Sequence, residues 1–128
     1  MAELSNYLEN KLLDHVLRNT SYNSPTTVYV GLFTTDPTDG NTGSEVSGGS
    51  YARQVLNVTT ATGGIVTSSA DVTFPQATGS WGTISHIGLL DALSSGNLLM
   101  HTPLTTSRAI ETGDVLKIST GSLTASLD

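Results

Sequence analysis

Three histidines, His15, His86 and His101, and a run of oxygen-bearing side chains, Asp36, Asp39, Asn41 and Glu45, are the groups of this chain with chemistry to offer. Histidine has an ordinary pKa near neutrality and builds nucleophilic triads with Ser and Asp. None of the three lies in a nucleophile signature, and no Gly-x-Ser-x-Gly elbow accompanies the many serines. They read as structural histidines. Asp36, Asp39, Asn41 and Glu45 are hard oxygen ligands close in sequence, the kind that Ca²⁺ gathers six to eight at a time. Their spacing fails the EF-hand loop, because the Gly falls too early and the terminal Glu comes too soon. Consecutive Asp-Pro and Asp-Gly turns in a solvated loop account for them better.

Other chemistries lack their residues. Gly48-Gly49-Ser50 is too short and too polar on both sides to cradle a phosphate, and neither a His-rich metal motif nor a glycosidase-like carboxylate pair is present. With no Cys, there is no disulfide, thiolate site or Cys nucleophile. The expectation is a chain without catalytic residues, metal or cofactor, and so no enzyme.

Three further residues stand out as contact groups. Tyr51 and Arg53 alternate with Ala52, so both project from one face of a strand, where the planar guanidinium can take a carboxylate of a partner or of the long loop itself. Trp81, the single Trp, follows Thr78-Gly79-Ser80 at a strand start, as a core anchor or an interface hot spot. Asp36, Asp39, Glu45, Tyr51, Arg53 and Trp81 are therefore the interaction candidates.

The elements that must position them are mostly strands. Leu4, Leu8, Leu12 and Val16, widened by Leu13 and Leu17, mark an amphipathic helix over residues 3–18, with Asn19-Thr20-Ser21 as its stop. This helix either covers an open end of the core, the favoured reading, or packs on a neighbouring subunit. Beyond Pro25 the pattern switches to period two, and strands are expected over 26–34, 51–59, 65–74, 81–92, 98–102, 108–111, 115–119 and 122–126. Gly63-Gly64, Ser94-Ser95-Gly96-Asn97 and Gly113-Asp114 are turns between them. The fold expected is all-β: a β-sandwich or jelly roll of seven or eight antiparallel strands over 26–126 with one N-terminal helix, a single domain over 1–128. The polar loop 35–50 is longer than a hairpin needs, and so reads as a surface presented for binding or assembly.

Composition sets the outer bounds. The 128 residues are only 12% charged, against about 25% in a typical domain, and carry a net charge of −6. Five scattered basic residues cannot form a phosphate-binding patch, so nucleic acid is not an expected partner. No apolar run is long enough to span a bilayer, and the first residues lack a basic region followed by an apolar stretch, so synthesis in a host cytoplasm and no membrane partner are expected.

The segments VGLFTTDP (30–37), GGSYARQ (48–54), VTF (72–74), WGTISHIGLLDA (81–92) and GNLL (96–99), with Gly113-Asp114, resemble a family of small structural proteins of tailed bacteriophages, tail-fibre-like or capsid-decorating. That resemblance implies a virion component with a sandwich or jelly-roll build. It further implies a capsid decoration or cement protein, a homotrimer that docks on the major capsid protein. The alternative is a tail, baseplate or fibre component that touches other tail proteins or a host receptor. A third class, a sugar-binding module or small hydrolase on the same scaffold, would need more exposed aromatics than one Trp and four Tyr supply.

Overall fold

A computed structural model describes residues 2–127 and shows a mostly β protein with one helix. In chain order the elements are β1 (Glu3–Leu4), α1 (Asn6–Leu17), β2 (Val28–Phe33), β3 (Gln54–Leu56), β4 (Ile65–Thr67), β5 (Val72–Thr73), β6 (Gly82–Leu90), β7 (Leu98–Ile110), β8 (Lys117–Ile118) and β9 (Thr124–Ser126). An antiparallel five-stranded sheet runs in the order β1-β7-β6-β2-β3. Two small antiparallel pairs, β4 with β9 and β5 with β8, form the rest.

The main core lies between the large sheet and the segments that carry the small pairs. Val30, Leu32, Leu56, Ile84, Ile87 and Leu89 come from the sheet; Val72, Phe74, Leu116 and Leu123 come from the other side. This is the two-layer burial that alternating strands require. The opposite face of β2 and β6 holds a second cluster, Phe33, Leu90 and Leu98. Both faces of β2 are thus buried, as its apolar residues in both phases predict.

Gly88 makes the second cluster possible. A Cβ on it would lie 2.6 Å from Phe33 Cε1 and 2.9 Å from Leu98 Cδ1. Those two side chains close over the bare backbone where the sheet needs a gap.

Several expected boundaries move. The helix begins three residues later than expected, because Glu3 and Leu4 pair with His101 and Met100 as an edge strand instead. Ser5 sets the division: its N–H bonds Leu99 O at 2.9 Å, its buried Oγ donates to Leu98 O, and the same oxygen caps the helix by accepting from Leu8 N at 3.2 Å. The stretch 65–74 is two short strands in different sheets, and only Gln54–Leu56 of the stretch 51–59 is strand. Conversely, 98–102 and 108–111 are one strand, β7, that ends at Ile110. Pro103 sits inside it, opposite His86, beyond the point where β1 stops at His101. Its missing N–H therefore falls on a free edge. Between His86↔Pro103 and Ile84↔Arg108 only Ser85 faces residues 104–107, so the excess bulges from the ladder.

Gly88→Ala is expected to cost about 1–3 kcal/mol, the usual range for overpacking a filled site. Thermal unfolding followed by circular dichroism would measure it; a variant as stable as the parent would show that Phe33 and Leu98 yield freely.

Candidate interaction site

The long loop is built into the fold. Where β3 ends opposite Val30, the chain over residues 44–46 takes its place beside β2. Val46 N donates to Leu32 O at 3.0 Å, Thr34 N to Ser44 O at 2.9 Å, and Phe33 forms a β-bridge with Glu45. One ladder position is filled by a side chain: Leu32 N donates to the Tyr51 hydroxyl at 3.0 Å. A buried backbone N–H needs a partner, and here a phenol serves.

Glu45, Tyr51 and Arg53 then form a knot. Arg53 grips the Glu45 carboxylate with two parallel bonds, Nε to Oε2 at 2.9 Å and Nη2 to Oε1 at 2.7 Å. Tyr51 donates its hydroxyl hydrogen to the same Oε2. The remaining arm of the guanidinium, Nη1, donates to Ala92 O at 2.7 Å and Ser95 O at 2.8 Å in the turn between β6 and β7. The Arg53 side chain is only 8% exposed and that of Glu45 22%, so the fork is largely shielded from water and its geometry fits carboxylate better than a lysine would. Gly31 leaves the room: a Cβ there would lie 2.9 Å from Glu45 Oε2 and 3.3 Å from the Tyr51 hydroxyl.

The electrostatics follow from this packing. Burial, then the hydrogen bond to Glu45, pushes the Tyr51 hydroxyl well above its ordinary value of 10.0. The bond to Glu45 likewise raises Arg53. Trp81 belongs to the core, 4% exposed, with its indole N–H donating to Gly49 O at 2.8 Å. Its ring meets Tyr51 edge-on at 5.5 Å, and Phe74 stacks on Tyr51 at 6.1 Å. Of the six interaction candidates, Glu45, Tyr51, Arg53 and Trp81 are therefore engaged within the chain.

Asp36 and Asp39 go elsewhere and remain exposed. Asp39 Oδ1 lies 2.8 Å from His101 Nε2, while Asp36 Oδ1 lies 3.8 Å from His101 Nδ1 and 3.9 Å from His86 Nε2. The four oxygen-bearing residues of the loop do not converge as one calcium-type set, since Glu45 is turned to Arg53. His15 is exposed on the helix and reaches Thr20 O at 3.2 Å.

The helix both lies against β7 and leaves an apolar face open. No α1 residue is buried, and Leu13, Val16 and Leu17 are 56%, 71% and 74% exposed. These lie one turn apart on one face. Leu8 and Leu12, half-buried, border apolar grooves of about 400 Å³ and 230 Å³ against Met100 and Ala125. The helix roofs the sheet edge without sealing it.

Replacing Arg53 by Lys keeps the charge and loses the fork, and should destabilise the protein by about 2–3 kcal/mol, toward the range for breaking a buried ion pair. Chemical denaturation measures this, and a loss below about 0.5 kcal/mol would mean that the pair behaves as a surface bridge. The raised Tyr51 pKa carries a sign. Above pH 10 the unfolded chain releases that phenolic proton while the folded chain keeps it, so this contribution to stability is complete below pH 10 and is lost as pH rises toward the folded value. Ultraviolet titration of phenolate in Tyr51→Phe should lack the latest-titrating component and keep the rest.

No curated protein matches the chain. A family model does, over residues 3–126, from β1 to the end of β9, and thus includes the helix, the knotted loop and every strand. The chain belongs to the Gp80 family, described as the podophage GP4 fiber I protein gp80, and is accordingly a small structural protein of a tailed bacteriophage.

Proposed function

We propose that this chain is a building module of a podophage tail fibre, assembled with sister copies through its N-terminal helix. Family membership over residues 3–126 supports the fibre placement, as the family's description names a fibre protein. The open face of α1 supports the assembly. Leu13, Val16 and Leu17 form an apolar patch on one face of α1, and Val16 and Leu17 are the most exposed of the large apolar side chains. Adjacent exposed apolar side chains of this kind mark protein contacts.

The apolar grooves beside Leu8 and Leu12 provide a complementary surface on the same chain. A helix of one copy that fills the groove of the next makes a head-to-tail contact, which closes into a ring such as a trimer. The engaged state of Glu45, Arg53, Tyr51 and Trp81 fits a module that works by rigid shape and not by turnover. Four of the six interaction candidates are spent on holding the loop and the core, which favours a non-enzymatic role. Placement on the head as a decoration of the major capsid protein is the competing reading, motivated by the same β build.

Cryo-electron microscopy of the virion should locate the chain in the tail fibres; density on the head shell alone, or absence from the particle, overturns the fibre reading. Independently, the purified chain should behave as an oligomer in light scattering. Leu13→Ser with Val16→Ser and Leu17→Ser should shift it to monomer with unchanged circular dichroism, because none of the three supports the fold of the single chain. An oligomer untouched by these changes would place the contact elsewhere.

A further inference from the structure

The surroundings of His101 remain unused by the assembly reading. This side chain is 5% exposed, and three carboxylates from two other parts of the chain face it: Asp39 at 2.8 Å and Glu3 at 3.9 Å from Nε2, and Asp36 at 3.8 Å from Nδ1. Glu3 belongs to β1, Asp36 and Asp39 to the long loop, and His101 to β7. Ligating atoms of Glu3, Asp39 and His101 all lie within 4.8 Å of one another.

Charge makes the cluster informative. The ion pairs that Lys and Arg form among the described residues are Arg18 with Asp14, Arg53 with Glu45 and Lys117 with Asp71. The three carboxylates around His101 thus face histidines and no lysine or arginine partner in those pairs. Such a set repels itself unless a cation joins it. A buried imidazole aimed at two carboxylates offers one nitrogen and two oxygens, a donor set suited to first-row transition ions and poorer for Ca²⁺, which prefers oxygen throughout.

We propose that Glu3, Asp39 and His101 bind one divalent first-row transition ion, of the zinc or manganese type, that fastens the N-terminal strand to the long loop. The geometry needs little change. Ligands of such an ion stand about 3.3 Å apart when each bond is about 2.0–2.1 Å, so Asp39 withdraws slightly and Glu3 closes in. Both are exposed side chains, 47% and 73%, with freedom to move, while His101 is held by the sheet. Asp36, 3.8 Å away on the Nδ1 side, stands within ion-pair distance, on the side where carboxylates back metal-bound histidines. The ion would act structurally, with the fourth coordination site onward completed by water or by a neighbouring molecule. It joins residues 62 positions apart, so it stabilises by closing a long loop as well as by neutralising charge.

The test uses the full chain, stripped with chelator. Titration calorimetry with zinc chloride, and separately with manganese chloride, should show one ion per chain, and the melting temperature should rise with metal concentration. Glu3→Gln and Asp39→Asn should each weaken binding about tenfold or more, while circular dichroism stays that of the parent. His101→Gln serves as a third variant where it folds; the two exposed-residue variants carry the test where it does not. Acidification should weaken binding, as protons compete for all three ligands. The proposal is overturned by absence of saturable binding to about 1 mM metal, by binding unaltered in both carboxylate variants, or by calcium binding as tightly as zinc. None of these outcomes depends on where the chain sits in the virion.

Discussion

The Arg53–Glu45 fork is the interaction on which the rest of the structure depends. It joins three pieces of backbone distant in sequence: the returning arm of the loop, the entry to β3, and the turn between β6 and β7. With the carboxylate fixed, Tyr51 is set to complete the hydrogen bonding of β2 at Leu32, and its ring is set to meet Phe74 and Trp81. One partly buried ion pair thereby couples the edge of the large sheet to the aromatic part of the core. Such a pair adds little net stability beside a well-packed apolar substitute, but it fixes register and loop path, because any displaced arrangement leaves a buried charge alone.

This explains why a chain with so few charges sets one opposite pair against its core. Only 12% of the residues are charged, yet two of the five residues in the knot and its aromatic surround are an opposite pair, partly buried with bidentate geometry. The aliphatic core, from Val30 to Leu123, supplies the non-directional part of the stability. Directional bonds then select one path for sixteen loop residues that hydrophobic burial alone would leave unspecified. The close approach at Gly31 has the same origin, since the carboxylate lies against bare backbone.

Much of this was legible from residues alone, and the failures have physical causes. Val28–Phe33 and Gly82–Leu90 follow their apolar alternation, and α1 follows its stripe. The pairing of Arg53 with a loop carboxylate was one of two open readings, because spacing shows that two side chains share a face and not which partner lies opposite. Glu3 and Leu4 match a helical period but pair with β7, a choice made by the Ser5 hydroxyl and by the available edge. The joining of 98–102 with 108–111 was hidden by Pro103, which reads as a breaker unless the neighbouring strand is known to end first. The histidine–aspartate pairing across His101 had no local signal at all: its partners stand in separate segments and converge only when β1, the loop and β7 are assembled.

The same topology connects the surroundings of His101 to the helix through which assembly is proposed. β1 is a two-residue edge strand, held by two ladder positions and by Ser5, and it leads directly into the helix whose apolar face is open. A helix tethered through so short a strand is oriented mainly by what fastens β1 to its neighbours. Asp39 contributes twice: its carbonyl accepts from Asn6 N at 2.9 Å, at the first residue of α1, and its carboxylate meets His101. Cohesion around His101 therefore bears on the direction in which Leu13, Val16 and Leu17 are presented. Short edge pairing alone would leave that direction soft, whereas a loop carboxylate, a buried imidazole and the helix cap acting on adjacent residues tie the open helix face to the sheet.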